Sequence, residues 1–169
     1  ALVRGDPEGG TAPIRAEAVE FAPDAPADEA LRAVAQGCLR HVGANATGLV
    51  TSADPEWVHQ MRIGTRRLRS CLGLLESICG KNRVAPLVKE LRWLAAILGA
   101  ARDWDVLAEE TLSPLAEALA QDPVARKDLT RLRRSIGGHR SAARKAARDA
   151  VRSARFQRMI LSIGAFCAE

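Results

Sequence analysis

Residues 54–75, DPEWVHQMRIGTRRLRSCLGLL, read as one amphipathic helix. Asp54 is a good N-cap, Pro55 suits the first helical position, and Glu56 favours the positive end of the helix. At 100° per residue, with His59 at zero, Met61, Leu68, Leu72 and Leu75 fall between about 160° and 220°. Opposite them stand Arg66 at about −20°, Gly73 at about −40°, Arg62 at about −60° and Arg69 at about −80°. Arg67, at about 80°, lies on the flank, where it is free to pair with an acid elsewhere. The apolar face asks for a helical partner. The other face is harder to explain, because the eleven residues from His59 to Arg69 contain no acid. Solvated helix faces mix Glu with Lys at i,i+4 spacing, since like charges there destabilise the helix. An unneutralised row of Arg therefore points to an anion site.

The next amphipathic stretch repeats the arrangement. With Lys89 at zero, Ala96, Asp103, Arg92 and Gly99 lie between about −20° and −80°, opposite Leu87, Leu91, Leu94 and Leu98. Lys89 and Arg92 thus share a face with small residues that leave room for a ligand, and Asp103 is placed to orient Arg62 or Arg66. Further on, Arg126, Arg133, Arg140 and Arg144 fall within about 40° of one another, with Arg148 beside them. Three basic stripes backed by apolar faces can pack so that their charges converge. Arg suits this because its planar fork grips phosphate oxygens through two parallel hydrogen bonds and stays charged at any cellular pH.

Helices account for the rest of the chain. Residues 1–27, rich in Pro, Gly and acid, read as a linker. A helix opens at Ala27 or Asp28 and runs to about Val50, with Leu31, Val34, Ala35, Cys38, Leu39 and Val42 at helical spacing. Gly80 ends the second helix, and the third is expected from about Ala85 to Leu107. Ser113-Pro114 starts a short piece to about Gln121. Asp122-Pro123 opens the long basic helix towards Ala150, with a kink or break expected at Gly137-Gly138. A last apolar helix, RFQRMILSIGAF, follows. No strand signal is present. The expected class is all-α, an antiparallel four-helix bundle with a basic face and a core containing Leu68, Leu72, Leu75, Leu91, Leu94 and Leu98.

Composition narrows the function. At 169 residues the chain is large enough for a buried core, and its formal net charge of +5 hides a strong asymmetry. From Arg126 to Arg158 twelve Lys or Arg face only Asp128 and Asp149. Segregated charge of this kind fits a polyanionic partner. No apolar run reaches the 18 or so residues of a membrane span. The four cysteines show no close pairing and read as small core residues in a reduced cytoplasm, which is the expected location; the opening residues carry no signal-peptide pattern. Neither a phosphate loop nor a cluster of metal-holding carboxylates is evident: Asp103 and Asp105 diverge by about 200° on a helix. His41 and His139 have no identifiable partners and read as surface or packing residues. No catalytic residue, cofactor or metal site is assigned, and the protein reads as a binding module. Nucleic acid is the competing polyanion. Against it, three Trp, three Phe and no Tyr leave few rings to stack bases between the basic residues. A basic surface lying on anionic membrane would need bulky apolar residues flanking the charge, whereas these apolar faces are sized for a core.

The 54–75 helix resembles the signature helix of the CHAD family, an α-helical domain named for its histidine. His59, Arg62, Arg66, Arg67, Leu68 and Arg69 stand in the spacing H-x-x-R-x-x-x-R-R-L-R. KELRWLAAILGAARDWDVL resembles that family's next helix, with Lys89, Arg92, Leu98, Gly99, Arg102, Asp103 and Asp105 in place, and RFQRMILSI resembles the start of its second half. The resemblance implies binding of inorganic polyphosphate in a basic cleft, and association of some members with polyphosphate or storage granules. Stripes and resemblance together nominate His59, Arg62, Arg66, Arg67, Arg69, Lys89, Arg92, Arg133, Arg140, Arg144, Lys145 and Arg148 as polyphosphate-binding residues, with Asp103 as the orienting acid.

Two features depart from the family pattern. CHAD domains usually comprise two similar bundles, each with its own His/Arg helix, whereas residues 28–169 hold the first bundle, to about 152, and the start of a second at 153–169. Neither His41 nor His139 is followed by the R-x-x-x-R-R-x-R spacing. The chain thus reads as one half of a two-bundle domain, and a complete cleft would draw on a second half, for example from a homodimer. Many relatives also carry an upstream CYTH domain with an E-x-E-x-K strand. That motif is absent here, so triphosphatase chemistry is not expected of these residues.

Overall fold

Three of the helices begin where a short polar side chain accepts from an exposed amide of the first turn. In this computed structural model, which describes residues 12–169, α1 spans Ala27–Thr51 with Asp28 and Glu29 at its positive end. Asp54 Oδ1 accepts from the Glu56 amide at 2.8 Å and opens α2, Glu56–Cys79. Gly80, at φ 88°, reverses the chain in a single residue, a backbone conformation that suits glycine. It lets α3, Lys81–Val106, start four residues earlier than expected. The helix runs through Pro86 near its N-terminal end, so the proline does not mark the boundary. A six-residue π-helical stretch, Leu107–Leu112, follows, with the Ser113 hydroxyl donating to the Ala108 carbonyl five residues back at 3.0 Å.

After short α4, Ser113–Ala118, Asp122 Oδ1 accepts from the amides of Val124 and Ala125 at 2.8 and 3.1 Å and caps α5, Pro123–Arg152. The expected interruption at Gly137-Gly138 does not occur. Both glycines are exposed inside one continuous helix, where their cost is conformational entropy and no packing depends on them. Ser153 caps α6, Ala154–Ala168, its hydroxyl accepting from the Phe156 amide at 3.2 Å.

The elements form an all-α bundle. Neighbours α1, α2 and α3 run antiparallel, α5 crosses back over α3, and α6 closes against α1 and α3. Leu68, Leu72, Leu75, Leu91, Leu94 and Leu98 are all fully buried, as their spacing predicts, together with Met61, Val42 and Ile163. Each such side chain contributes on the order of 1.5–3 kcal/mol of transfer free energy. A smaller cluster, Leu112, Leu129 and Ile136 against Trp104 and Leu107, ties the π-helical stretch to α5. The segment read as the start of a second half, 153–169, packs into this core, burying Phe156, Met159, Ile163 and Phe166.

Of the expected linker, residues 1–11 lie outside the described residues. Residues 12–26 carry no helix or strand, and their first part is laid along α1.

Candidate polyanion-binding site

The Gly80 corner sets the register of the basic faces. Arg69 and Arg92 stand eleven and twelve residues from Gly80 on either side, and Arg62 and Gly99 eighteen and nineteen, so each pair meets at one height across the antiparallel helices. The structure bears this out for the second pair: a Cβ at Gly99 would lie 3.5 Å from Arg62 Nη1, so the guanidinium rests against bare α3 backbone. Arg62, Arg66, Arg67, Arg69, Lys89 and Arg92 are exposed, and His59 is half-buried with its Nδ1 enclosed and unpartnered. Among the described residues none of these seven forms an ion pair. Ala96 and Gly73 are exposed between them, and nothing lies within 4 Å of where a Gly73 side chain would begin. Arg67 has found no acid. It sits on the α1 flank, where it and Arg66 border a groove floored by Val34, Ile63 and Cys71.

The long basic helix behaves differently. Arg140 and Arg144 turn inward and share one carboxylate oxygen, Asp105 Oδ1, at 2.6 and 2.9 Å. Arg140 also bonds Glu109, and Arg144 the Ala53 carbonyl. Burial opposes the charge on Arg140, but its hydrogen bonds to Asp105 and Glu109 outweigh that and hold its pKa above the ordinary value. Arg148 donates to the Leu49 carbonyl at 3.4 Å, and Lys145 pairs with Asp149 at 2.6 Å along the helix surface. Of the α5 residues nominated from sequence, Arg133 alone is exposed without a described acid partner. The α5 stripe is therefore largely engaged in holding the bundle together.

Asp103, nominated as the orienting acid, is exposed and forms no ion pair among the described residues. Asp105 does that work, at 0 % exposure. The signal was available. Asp105 falls at about 160° when Lys89 is at zero, in the middle of the α3 leucine face, where a carboxylate requires buried cationic partners. His41 was likewise misread as partnerless: it is buried and bonds the Ile14 carbonyl and Gln60 Oε1. His139 stacks on Trp104 at 4.8 Å, and Trp93 lies under the Arg155 guanidinium at 4.2 Å.

The cysteines are packing residues. Burial pushes the Cys71 thiol up to about 11 and raises those of Cys38 and Cys167. Among the described residues no group of three or more His, Cys, Asp or Glu is placed to hold a metal ion, and no helix is long and apolar enough to cross a membrane.

Comparison with known proteins gives a consistent picture. The family model for the CHAD domain matches residues 33–169. Two curated proteins of Mycobacterium tuberculosis are each 36% identical over 117 residues: uncharacterized protein MT2285 of strain CDC 1551 / Oshkosh and uncharacterized protein Rv2226 of strain ATCC 25618 / H37Rv. Each match covers 66% of this chain and 22% of the relative, so the chain spans about a fifth of their length. Among solved structures, the crystal structure of the CHAD domain from the plant Ricinus communis superposes with a TM-score of 0.78 at 37% identity, covering 94% of this chain and 51% of that one.

Proposed function

The chain belongs to the CHAD family, and from that premise we propose that its α2–α3 face is a binding surface for inorganic polyphosphate. One observation carries the reading: His59, Arg62, Arg66, Arg67, Arg69, Lys89 and Arg92 are gathered on two adjacent helices with no ion-pair partner described, while the inward cations of α5 are neutralised. A folded protein that leaves this many Arg unpaired on neighbouring helices accepts self-repulsion that a polyanion would relieve. Phosphate oxygens suit the Arg forks, and the open backbone at Gly73 lets a linear anion lie close to the helices.

The activity proposed is binding without turnover, in the cytoplasm and at polyphosphate granules. A second bundle, from elsewhere in a longer chain or from a second molecule, would extend the same face. Nucleic acid is the competing ligand. The exposed His139 ring on Trp104 gives it a stacking surface, but one face of that Trp is already covered by the histidine.

Competition decides between them. Labelled long-chain polyphosphate bound to the protein is titrated with unlabelled polyphosphate, RNA, DNA and pyrophosphate at fixed salt. Displacement only by polyphosphate is expected, and preferential binding of RNA or DNA would overturn the reading.

A further inference from the structure

The segment before α1 is seated on the bundle by a set of buried polar groups that the anion face does not use. Asn45, fully buried on α1, reads both backbone groups of a single residue: Oδ1 accepts from the Ile14 amide at 3.0 Å, and Nδ2 donates to the Ile14 carbonyl at 2.9 Å. The same carbonyl accepts from His41 Nε2 at 2.9 Å. That nitrogen also faces Gln60 Oε1 at 3.1 Å, and because both partners are acceptors, Nε2 is the one that carries the hydrogen. Gln60 is in turn fixed by its own amide, which donates to Glu56 at 2.6 Å. Five residues on, Val19 occupies the place where any side chain at Gly37 would be: a Cβ there would lie 2.6 Å from Val19 Cγ2.

We propose that His41, Asn45, Gln60 and Gly37 form a docking site for extended main chain, and that residues 12–19 are a strap held in it. Asn45 offers that strap the donor–acceptor pair a neighbouring β-strand would, so recognition rests on backbone at Ile14 and on shape at Val19. Two features distinguish this from a linker lying passively on a surface. Its partners are buried side chains on apolar faces of α1 and α2, which unseated would need water or other partners. Gly37 keeps clear the space that Val19 fills. Between these two points the fit is loose, with a cavity of about 230 Å³ bounded by Ile14, Val19, Gly37 and His41, so the strap is held at its ends.

Arg15, exposed within the strap, supplies the test. A protease needs the chain around its scissile bond free, so trypsin cleavage after Arg15 in the full chain reports how often the strap lifts. Two variants act from opposite sides: Asn45→Ala removes the paired backbone contacts, and Val19→Asp spoils the seat while leaving every bundle residue intact. Wild-type cleavage is expected to be at least roughly tenfold slower than in a free peptide of residues 12–22, with acceleration of roughly tenfold in each variant and unchanged helical circular dichroism. Should Asn45→Ala fail to fold, Val19→Asp still decides. Wild-type cleavage at the peptide's rate, or no acceleration in Val19→Asp, would overturn the proposal.

Discussion

Two basic regions of this bundle carry similar residues and make opposite use of them. On α2 and α3 Arg62, Arg66, Arg67, Arg69, Lys89 and Arg92 face outward with no acid paired to them among the described residues, and the residues between them are small. In the C-terminal half of α5 every nominated cation has a protein partner: Arg140 and Arg144 on Asp105, Arg148 on a carbonyl of α1, and Lys145 on Asp149. What separates them is where the negative charge sits, since Asp105 lies on the apolar face of α3 and draws two guanidiniums inward. The lesson is that a helical stripe of Arg specifies cationic side chains on one face but not their employment. A buried carboxylate on a neighbouring helix converts ligand groups into struts.

That contrast can be broken at its pivot. Asp105→Ala leaves Arg140 and Arg144 enclosed without their shared counter-ion, and removing one partner of a buried pair costs about 3–5 kcal/mol. The largest stability loss is expected here, read from the midpoint of urea unfolding. Asp103→Ala, two residues away but exposed, should leave the midpoint unchanged. Next in size are the free cations. Arg62→Ala, Arg66→Ala and Arg69→Ala should each weaken polyphosphate binding by about 1–3 kcal/mol with no loss of thermal stability, and each should flatten the log–log dependence of affinity on salt. A fall in melting temperature matching the fall in affinity would mean that these residues too are struts.

The sequence carried the bundle well because burial follows periodicity. The six leucines nominated for the core lie at one angle on two helices, and all are fully buried. Helix starts at Asp122 and near Asp54 followed from the chemistry of a short acidic side chain before proline. What failed was local. The start of α3 lies four residues before the expected Ala85 because the reversal is made at Gly80 alone, and Gly137-Gly138 is absorbed by a long helix whose packing does not involve it. The site was legible as a set of faces. The pairing within it was not, because Asp103 and Asp105 are two residues apart and differ in angle: Asp103 shares the cation face, while Asp105 lies among the leucines where the inward guanidiniums meet it. His41 and Asn45 share the apolar side of α1 in the same way, and their partner is a backbone group at Ile14, which side-chain pattern does not encode.

Smaller effects sharpen the comparison further. Arg155 stacks on Trp93 and grips Glu90 at 2.6 Å, pinning α6 to α3, and this hydrogen bond is the largest of the influences that hold the Glu90 carboxyl below its ordinary pKa. A carboxylate with a lowered folded-state pKa contributes stability that is present above the unfolded value and is lost as pH falls through the folded one. Glu90→Gln should therefore cost less than about 1 kcal/mol near neutral pH, since the pair is partly solvated, and the difference from wild type should vanish in acid below the usual carboxylate range. Urea midpoints of the two proteins at neutral and acidic pH test this, and a gap that widened on acidification would contradict it.

The smallest effect expected is at Lys145. Its stripe position on α5 made it a candidate ligand group, yet in the fold it is 75 % exposed and paired with Asp149 one turn on, so its charge is locally neutralised. An exposed i,i+4 pair contributes only a few tenths of a kcal/mol to a helix. Lys145→Ala should change neither the unfolding midpoint nor polyphosphate affinity beyond a factor of about two, because it removes a cation whose field Asp149 already cancels. Lys89→Ala is its counterpart on the free face, likewise exposed and with no ion-pair partner among the described residues, and should weaken binding measurably at low salt. The two substitutions delete the same charge, so a general positive field around the protein would respond to both alike. Equal losses would show that binding follows net charge, whereas a loss confined to Lys89→Ala would locate the ligand on α2 and α3.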